Sequence, residues 1–384
     1  MAENGARRIR LGMVGGGTGA FIGYVHRIAA RLDGDYELVA GALSSRPEIA
    51  RESGRNIGLA EDRIYTSYEE MAKAEAARAD GIEAVSIVTP NNVHFGPARA
   101  FLEAGIHVIC DKPLTSTLGD ARALAAVKPK NGAKFLLTHN YTGYPLIRQA
   151  RELVKWGALG SLRVVQVEYP QDWLTEPTDP GNKQAAWRTD PGRSGAGGAI
   201  GDIGTHAYNL ARFVTGLETE ALAAELTTFV PGRKLDDNVQ ILLRFVGGAR
   251  GMLWASQVAV CNENGLRLRV YGDKGGLEWF QENPNEMWFS EFGKPRQRLT
   301  RGGSIVNDAA APGMSVRVPA GHPEGYLEGF ATLYAQFAEV IRGNGAAYEN
   351  VLPSLADGVE GMTFIAAAVK SSSENSRWVS FSEV

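Results

Sequence analysis

The sequence predicts an α/β protein of two domains: an N-terminal one built on a parallel sheet, and a C-terminal one with a large, mostly antiparallel sheet. Three observations predict it. Apolar strand-like runs alternate with helical stretches over the first third of the chain, the pattern of right-handed βαβ units. A glycine-dense turn closes the first of those strands. Beyond about residue 135 the alternation gives way to consecutive strand-like runs with short turns, which make an antiparallel sheet with one face free for helices or a partner subunit. At 384 residues the chain exceeds one ordinary core, and the expected domains are 1–136 and 137–384.

Residues 8–14 read as a short apolar strand. Gly15-Gly16-Gly17-Thr18-Gly19-Ala20-Phe21-Ile22-Gly23 follows, then a helical pattern through His26, Ile28, Ala29 and Leu32. A strand over 36–43 leads to a helix opened by Ser45-Arg46-Pro47-Glu48, where proline suits the first turn because its missing N–H would have no partner there. Residues 84–89 and 106–110 are strand-like, and 93–104 and 118–127 helical. In the second domain a helix over 144–156 and a strand over 162–169 come first. Behind the glycine-dense run from Gly195 to Gly201, Ile203, Ala207, Leu210, Ala211 and Val214 recur at helical spacing. Strands are expected at 222–230, 239–245, 252–258 and 266–271, with Gly247-Gly248 and Asp273-Lys274-Gly275 supplying turns. Helices over 326–341 and 355–368 close the chain.

Composition narrows the function classes. Apolar content of 44% with 22% charged residues is that of a soluble globular protein. A net charge of -3 without a basic cluster argues against nucleic acid as the main partner. No apolar run approaches the ~20 residues of a bilayer span, so no membrane partner is expected. The polar N-terminus has no signal-peptide core, which makes a cytoplasmic location the expectation. Cys110 and Cys261, far apart, fit a reducing compartment without a disulfide framework, and no Cys/His spacing suggests a metal.

A glycine-rich turn between a strand and a helix is where a dinucleotide pyrophosphate is held, by close backbone approach and by the unpaired N–H groups of the helix start. Gly15, Gly17, Thr18, Gly19, Ala20, Phe21 and Ile22 are the residues expected there. The loop is longer than Gly-x-Gly-x-x-Gly, so either Ala20 or Gly23 takes the third position. NAD enzymes usually carry Asp or Glu at the end of the second strand. Here stand Leu43, Ser44, Ser45 and Arg46, whose hydroxyls and guanidinium suit a 2′-phosphate, hence NADP or both cofactors. Thr89, Pro90 and Asn91 follow the third strand, and His94 beyond them is expected to line the cofactor cleft. His26 and His107 look structural.

Two motifs carry chemistry. Asp111-Lys112-Pro113 ends a strand on the side where open parallel sheets bind ligands, and Lys112 there can stabilise negative charge on a substrate oxygen. Asp202 and His206, four residues apart, share one face of a helix, and a histidine beside a carboxylate can accept and return a proton. Taken alone the pair also fits a capping aspartate and a helix-surface histidine. Between these motifs lie Gln171-Asp172-Trp173 and Trp187-Arg188. Trp173, Trp187 and Arg188, joined by Tyr169 or Gln171, offer a flat apolar surface and hydrogen bonds for a carbohydrate; the tryptophans equally suit core anchors. His322, in Gly321-His322-Pro323-Glu324, belongs either to a helix N-terminal turn or to a pocket of its own or a neighbouring subunit.

The glycine turn, Thr89-Pro90-Asn91, Asp111-Lys112-Pro113, Asn140-Tyr141 and Asp202-x-Gly-Thr-His206 occur in the order of the glucose–fructose oxidoreductase/inositol dehydrogenase (Gfo/Idh/MocA) family, which the chain resembles over nearly its whole length. The family triplet is usually Glu-Lys-Pro, and Asp111 is a variant that keeps charge and lysine. The resemblance implies a Rossmann domain followed by an α/β domain, with NAD or NADP as cofactor and Asp111, Lys112 and Asn140 added to its contacts. It implies a homo-oligomer, tetramer or dimer, acting on a sugar or cyclitol. The implied reaction is reversible oxidation of a secondary hydroxyl of a cyclic polyol (inositol, aldopyranose or glycoside) to the ketone or lactone, with Lys112, Asp202 and His206 as the catalytic set. A cofactor-recycling oxidoreductase or an NAD-dependent glycosidase is the alternative. A non-catalytic sugar sensor is more distant, since such proteins commonly lose the lysine or histidine present here.

Overall fold

The computed structural model describes residues 7–178, 181, 183–303 and 316–384. These form two compact units. The first takes the described residues up to Thr115, Gly119–Gly143 and Tyr326–Val359; the second takes Ser116–Leu118, the described residues of Tyr144–Gly325, and Glu360–Val384.

The first unit is a five-stranded parallel sheet of order β2-β1-β3-β4-β5, with β1 Ile9–Gly15, β2 Tyr36–Ala42, β3 Ala84–Val88, β4 His107–Cys110 and β5 Phe135–Leu137. Helices α1 Phe21–Leu32, α2 Pro47–Asn56, α3 Tyr68–Ala77, α4 Phe95–Ala104 and α5 Leu118–Ala125 alternate with the strands. Every residue of β3 is buried, as a strand covered on both faces requires. Register brings Gly15 opposite Val88, Ile87 opposite Cys110 and Cys110 opposite Leu137. The residues that follow these strands therefore emerge along one edge of the sheet. Two elements have no counterpart in the expected list. One is α3, whose start is capped by the Ser67 side chain accepting from Glu70 N; the other is the three-residue β5.

In the second unit, α6 Pro145–Lys155, β6 Leu162–Pro170, short helices α7 Lys183–Arg188 and α8 Pro191–Ser194, and α9 Thr205–Thr215 precede a run of strands. These are β7 Thr219–Thr227, β8 Asn238–Phe245, β9 Arg250–Ser256, β10 Arg267–Gly272, β11 Gly275–Phe280, β12 Glu286–Glu291, β13 Gln297–Thr300 and β14 Val379–Ser380. Together they make a nine-stranded sheet of order β13-β12-β11-β10-β6-β9-β8-β7-β14, antiparallel except where β6 meets β9. Burial alternates strictly along β8, and α9 packs on β6, β9 and β10. The opposite face stays open: Leu242 and Met252 face each other there, 51% and 43% exposed. Helices α10 Tyr326–Ile341 and α11 Leu355–Ser373 end the chain.

The expected boundary at 136/137 differs from this division. Phe330, Leu333, Tyr334 and Phe337 of α10 share a core with Val25 and Ala29 of α1 and with Ile9, Leu11, Ile109 and Leu136 of the parallel sheet. The chain returns to complete the first hydrophobic core, something no local pattern marks. Among the described residues, no helix is long and apolar enough to cross a membrane.

Candidate active site

The glycine turn is shaped by a contact between two glycines. A Cβ on Gly23, in the first turn of α1, would lie 2.4 Å from Gly16 Cα, and one on Gly17 would lie 2.7 Å from Leu43 O. Gly15 and Gly16 have φ of +79° and +72°, conformations that glycine adopts at little cost. Gly23 therefore takes the third position, packing helix against turn, and Ala20 is the extended residue before α1. Ala20 supplies no side-chain hydrogen bond to cap that helix start. Ser53 Oγ holds the loop by accepting from Thr18 N at 3.0 Å, and Gly19 faces open space. Phe21 is 58% exposed, whereas Ile22 is part of the surrounding core. At the end of β2, Ser44 Oγ accepts from Arg46 N at 3.1 Å, while Ser45 and Arg46 are exposed.

The strand ends place the remaining residues of this unit. Thr89 follows β3, Asp111 and Lys112 follow β4, and Asn140 comes shortly after β5. The Asp111 carboxylate accepts from Lys112 N at 2.9 Å and from Thr138 Oγ1 at 3.1 Å, so the backbone at the lysine is tied down. Below it lies a buried polar group. His26 Nδ1 is 2.8 Å from the Tyr334 hydroxyl and 3.2 Å from Ser86 Oγ, and His26 Nε2 is 4.0 Å from Asp111. Burial pushes the His26 imidazole down to about 4 despite Asp111, so it is neutral near pH 7. His94 calls for a correction. Instead of lining a cleft, its ring is fully buried between two carbonyls, with Nδ1 2.8 Å from Pro113 O and Nε2 2.9 Å from Thr89 O. It fixes the backbone of both motifs, and burial lowers its pKa.

These residues fit a dinucleotide. Thr89 Oγ1 and Asn140 Nδ2 are buried and have no hydrogen-bond partner among the described residues, a costly state that a ligand amide or hydroxyl would relieve. Gly19 leaves open space beside the start of α1, whose first N–H groups receive no side-chain bond from Ala20, an arrangement suited to a pyrophosphate.

In the second unit, Asp202 sits in a π turn, Ile200–Gly204, that runs directly into α9. Such turns widen a helix locally and often mark functional sites. The turn has a visible anchor. Buried Asp236 accepts from Gly198 N at 2.6 Å and Ile200 N at 2.8 Å, and its carbonyl accepts from Ala199 N at 2.9 Å. A Cβ on Gly198 would stand 2.1 Å from that carbonyl, so the approach needs glycine. Burial pushes the Asp236 carboxyl up to about 6, against the pull of its N–H donors.

The Asp202 carboxylate accepts from Arg188 Nε at 3.1 Å and from the buried Gln257 Nε2 at 2.9 Å. Arg188 lies over the Trp187 ring at 4.3 Å and near Trp173 at 5.8 Å. Trp173, 40% exposed, is no core anchor; its Nε1 donates to Gln171 Oε1 at 3.0 Å. The Tyr169 ring is 6.2 Å from that of His206. These contacts join Gln171, Trp173, Trp187, Arg188 and Asp202, and set Tyr169 beside His206. His322 is separate from that network: its side chain is exposed, and its carbonyl accepts from buried Arg301, which also pairs with Glu324 at 3.0 Å.

Residues 9–139 match the model for an oxidoreductase family with an NAD-binding Rossmann fold, and residues 147–278 match the GFO/IDH/MocA C-terminal domain. The chain is 35% identical to the Uncharacterized oxidoreductase YfiI of Bacillus subtilis (strain 168), over 99% of its own length and 100% of that protein. The chain belongs to the GFO/IDH/MocA oxidoreductase family. A levoglucosan dehydrogenase of Pseudarthrobacter phenanthrenivorans is 30% identical to this family member over 73% of the chain and 76% of the relative. The solved inositol dehydrogenase homolog from Azotobacter vinelandii, complexed with NAD+, superposes with a TM-score of 0.92 at 38% identity, covering 98% of each chain.

The enzyme is thus an NAD-binding oxidoreductase with the two-sheet architecture expected from its sequence. Gln257, Asn264 and Asp236 escaped sequence reading. Each lies in a loop next to a strand among other polar residues, and its partners lie far away in the chain, so no local spacing marks it. The π turn escaped too, although the glycine-dense approach to it was visible.

Proposed function

We propose that the enzyme oxidises a secondary hydroxyl of a cyclic polyol (an inositol, aldopyranose or glycoside) to the ketone or lactone, and runs the reverse reduction. The observation that carries this reading is the wall of Trp173, Trp187 and Arg188 joined to the Asp202 carboxylate. Indole faces suit the C–H face of a sugar ring, while the charged and amide groups beside them suit its hydroxyls. The levoglucosan and inositol names of the relatives point the same way.

In this reading His206, as neutral imidazole, takes the proton of the reacting hydroxyl. Lys112 donates to the same oxygen and stabilises its developing charge. Asp202, held by Arg188 and Gln257, either orients His206 or accepts from a neighbouring substrate hydroxyl. When bound, the cofactor supplies a nicotinamide ring able to accept the hydride from the carbon being oxidised. Gly15, Gly17, Thr18, Gly19, Ala20, Thr89, Pro90, Asn91 and Asn140 are proposed to hold the cofactor. Ser44, Ser45 and Arg46, with no carboxylate beside them, support use of NADP alongside NAD. The open face of the nine-stranded sheet supports self-association.

Steady-state turnover of inositols, aldoses and levoglucosan with NAD and NADP in parallel tests the reaction. His206→Ala and Lys112→Met are each expected to lower turnover by about 10²- to 10⁴-fold. Near-normal rates in these folded variants overturn the assignment. Polyol consumption without net change in nicotinamide absorbance would instead identify a cofactor-recycling enzyme.

A further inference from the structure

Asn264 lies in the loop between β9 and β10, and its side chain is a junction. Its Oδ1 accepts from the Tyr169 hydroxyl and from Gln171 Nε2, each at 2.8 Å, and its Nδ2 donates to Gln281 Oε1 at 2.6 Å. Its backbone N donates to Glu282 at 2.7 Å. The direction of these bonds is dictated by one partner. An indole N–H only donates, and that of Trp173 donates to Gln171 Oε1. Gln171 is left with its amide nitrogen toward Asn264, so Asn264 must present oxygen there and nitrogen to Gln281. Gln281 Nε2 then continues to the Tyr144 hydroxyl at 3.3 Å.

A side chain so engaged has little capacity left for a ligand. Its effect is on what it holds: Tyr169, whose ring stands beside His206, and, through Gln171, the exposed Trp173 near Arg188. We infer that Asn264 is a positioning residue for substrate specificity, setting Tyr169 and the plane of Trp173 so that the wall accepts ring-shaped polyols. This rests on the polyol reading above.

Asn264→Ala leaves the Tyr169 hydroxyl and the Gln171 amide without their acceptor. The expected result is a KM for polyol raised about 10-fold with kcat within about threefold, the signature of lost binding and not of lost chemistry. Asn264→Asp keeps the acceptor oxygen, and a turned Gln281 amide restores the third bond, so its KM is expected within about threefold of wild type. The experiment uses the full chain with NAD and two probes, myo-inositol and levoglucosan. It also follows the indole N–H resonance of Trp173 in tryptophan-labelled protein, assigned by its loss in Trp173→Phe.

A raised KM in Asn264→Ala together with a displaced Trp173 resonance, both largely restored in Asn264→Asp, supports the inference. An unmoved resonance, an unchanged KM, or equal loss in both variants overturns it. If wild type turns over neither probe, the polyol reading fails for these substrates. The Trp173 resonance then decides for Asn264 alone: displacement restored by aspartate supports positioning, and no displacement refutes it. Should Asn264→Ala not fold, Asn264→Leu, which keeps the side chain's size but has no acceptor oxygen, takes its place and is judged by the same criteria against Asn264→Asp.

Discussion

The two units present chemistry in opposite ways. In the first, the candidate cofactor residues are offered mainly by the backbone: a glycine turn, a helix start without a side-chain cap from Ala20 and the ends of parallel strands. In the second, side chains hold side chains: Asp202 receives Arg188, 14 residues before it, and Gln257, 55 residues after it. Buried titratable groups differ as well. The first unit keeps His26 and His139 neutral by burial, each down to about 4, whereas the second buries Asp236 with its pKa raised to about 6. A main-chain cradle tolerates many side chains but no added Cβ at its crossings. A side-chain network tolerates backbone variety but loses a partner with each substitution.

The largest effect should come from breaking the cradle. Gly23→Val drives a branched side chain into Gly16, and NADH affinity by fluorescence titration is expected to fall on the order of 100-fold or more. Hydrogen exchange in the nine-stranded sheet should be unchanged; loss of protection there would mean that the units do not respond separately.

Acid should separate them next. His26 and His139 have folded pKa values near 4 against an ordinary 6.5, so the unfolded chain takes up protons first as pH falls. The stability they contribute is present above pH 6.5 and is lost toward pH 4, by roughly 3 kcal/mol each. Asp236 works in reverse. Its folded pKa of about 6 exceeds the ordinary 3.8, so its stabilisation is present in acid and lost as pH rises through 6. Exchange protection, corrected for intrinsic rates, should therefore fail in the first unit before the second on acidification, and His26→Leu should blunt that loss. Simultaneous failure would argue against this account.

Smaller effects sharpen the contrast. Gln257→Leu removes one hydrogen bond to a carboxylate, worth about 1.5–3 kcal/mol, and should lower kcat/KM about 10- to 100-fold while leaving NADH affinity intact. Ser53→Ala frees Thr18 N in the glycine loop and should raise the NADH Kd by only about five- to tenfold, since the backbone still shapes the turn. If Gln257→Leu weakened the cofactor more than the polyol, the assignment of that network to substrate would fall.

This contrast also explains how much could be read in advance. The glycine turn, the strand preceding it, Lys112 and the Asp202–His206 spacing are contiguous segments, so their residues announce the structure they form. The aromatic loop was equally visible as composition, but which of its members touch depended on the sheet beneath. Gly23 as the third glycine, the buried seat of His94, and the π turn at Ile200–Gly204 each hinge on a contact between segments. The same holds for α10, whose apolar stripe was legible while its destination, the core of the first unit, was not.

By itself, then, the sequence determined the α/β alternation, the order of the motifs and the residue types available for proton transfer and phosphate contact. Those follow from interactions between near neighbours in the chain: helical and strand periodicity, glycine conformations and helix starts. Only the tertiary structure decided that Asp236 braces the Asp202 turn, that Gln257 and Arg188 share its carboxylate, and that Asn264 orients Tyr169 and Gln171. Those bonds close between segments far apart in the chain, where direction and distance are set by packed sheets and helices and leave no periodicity behind.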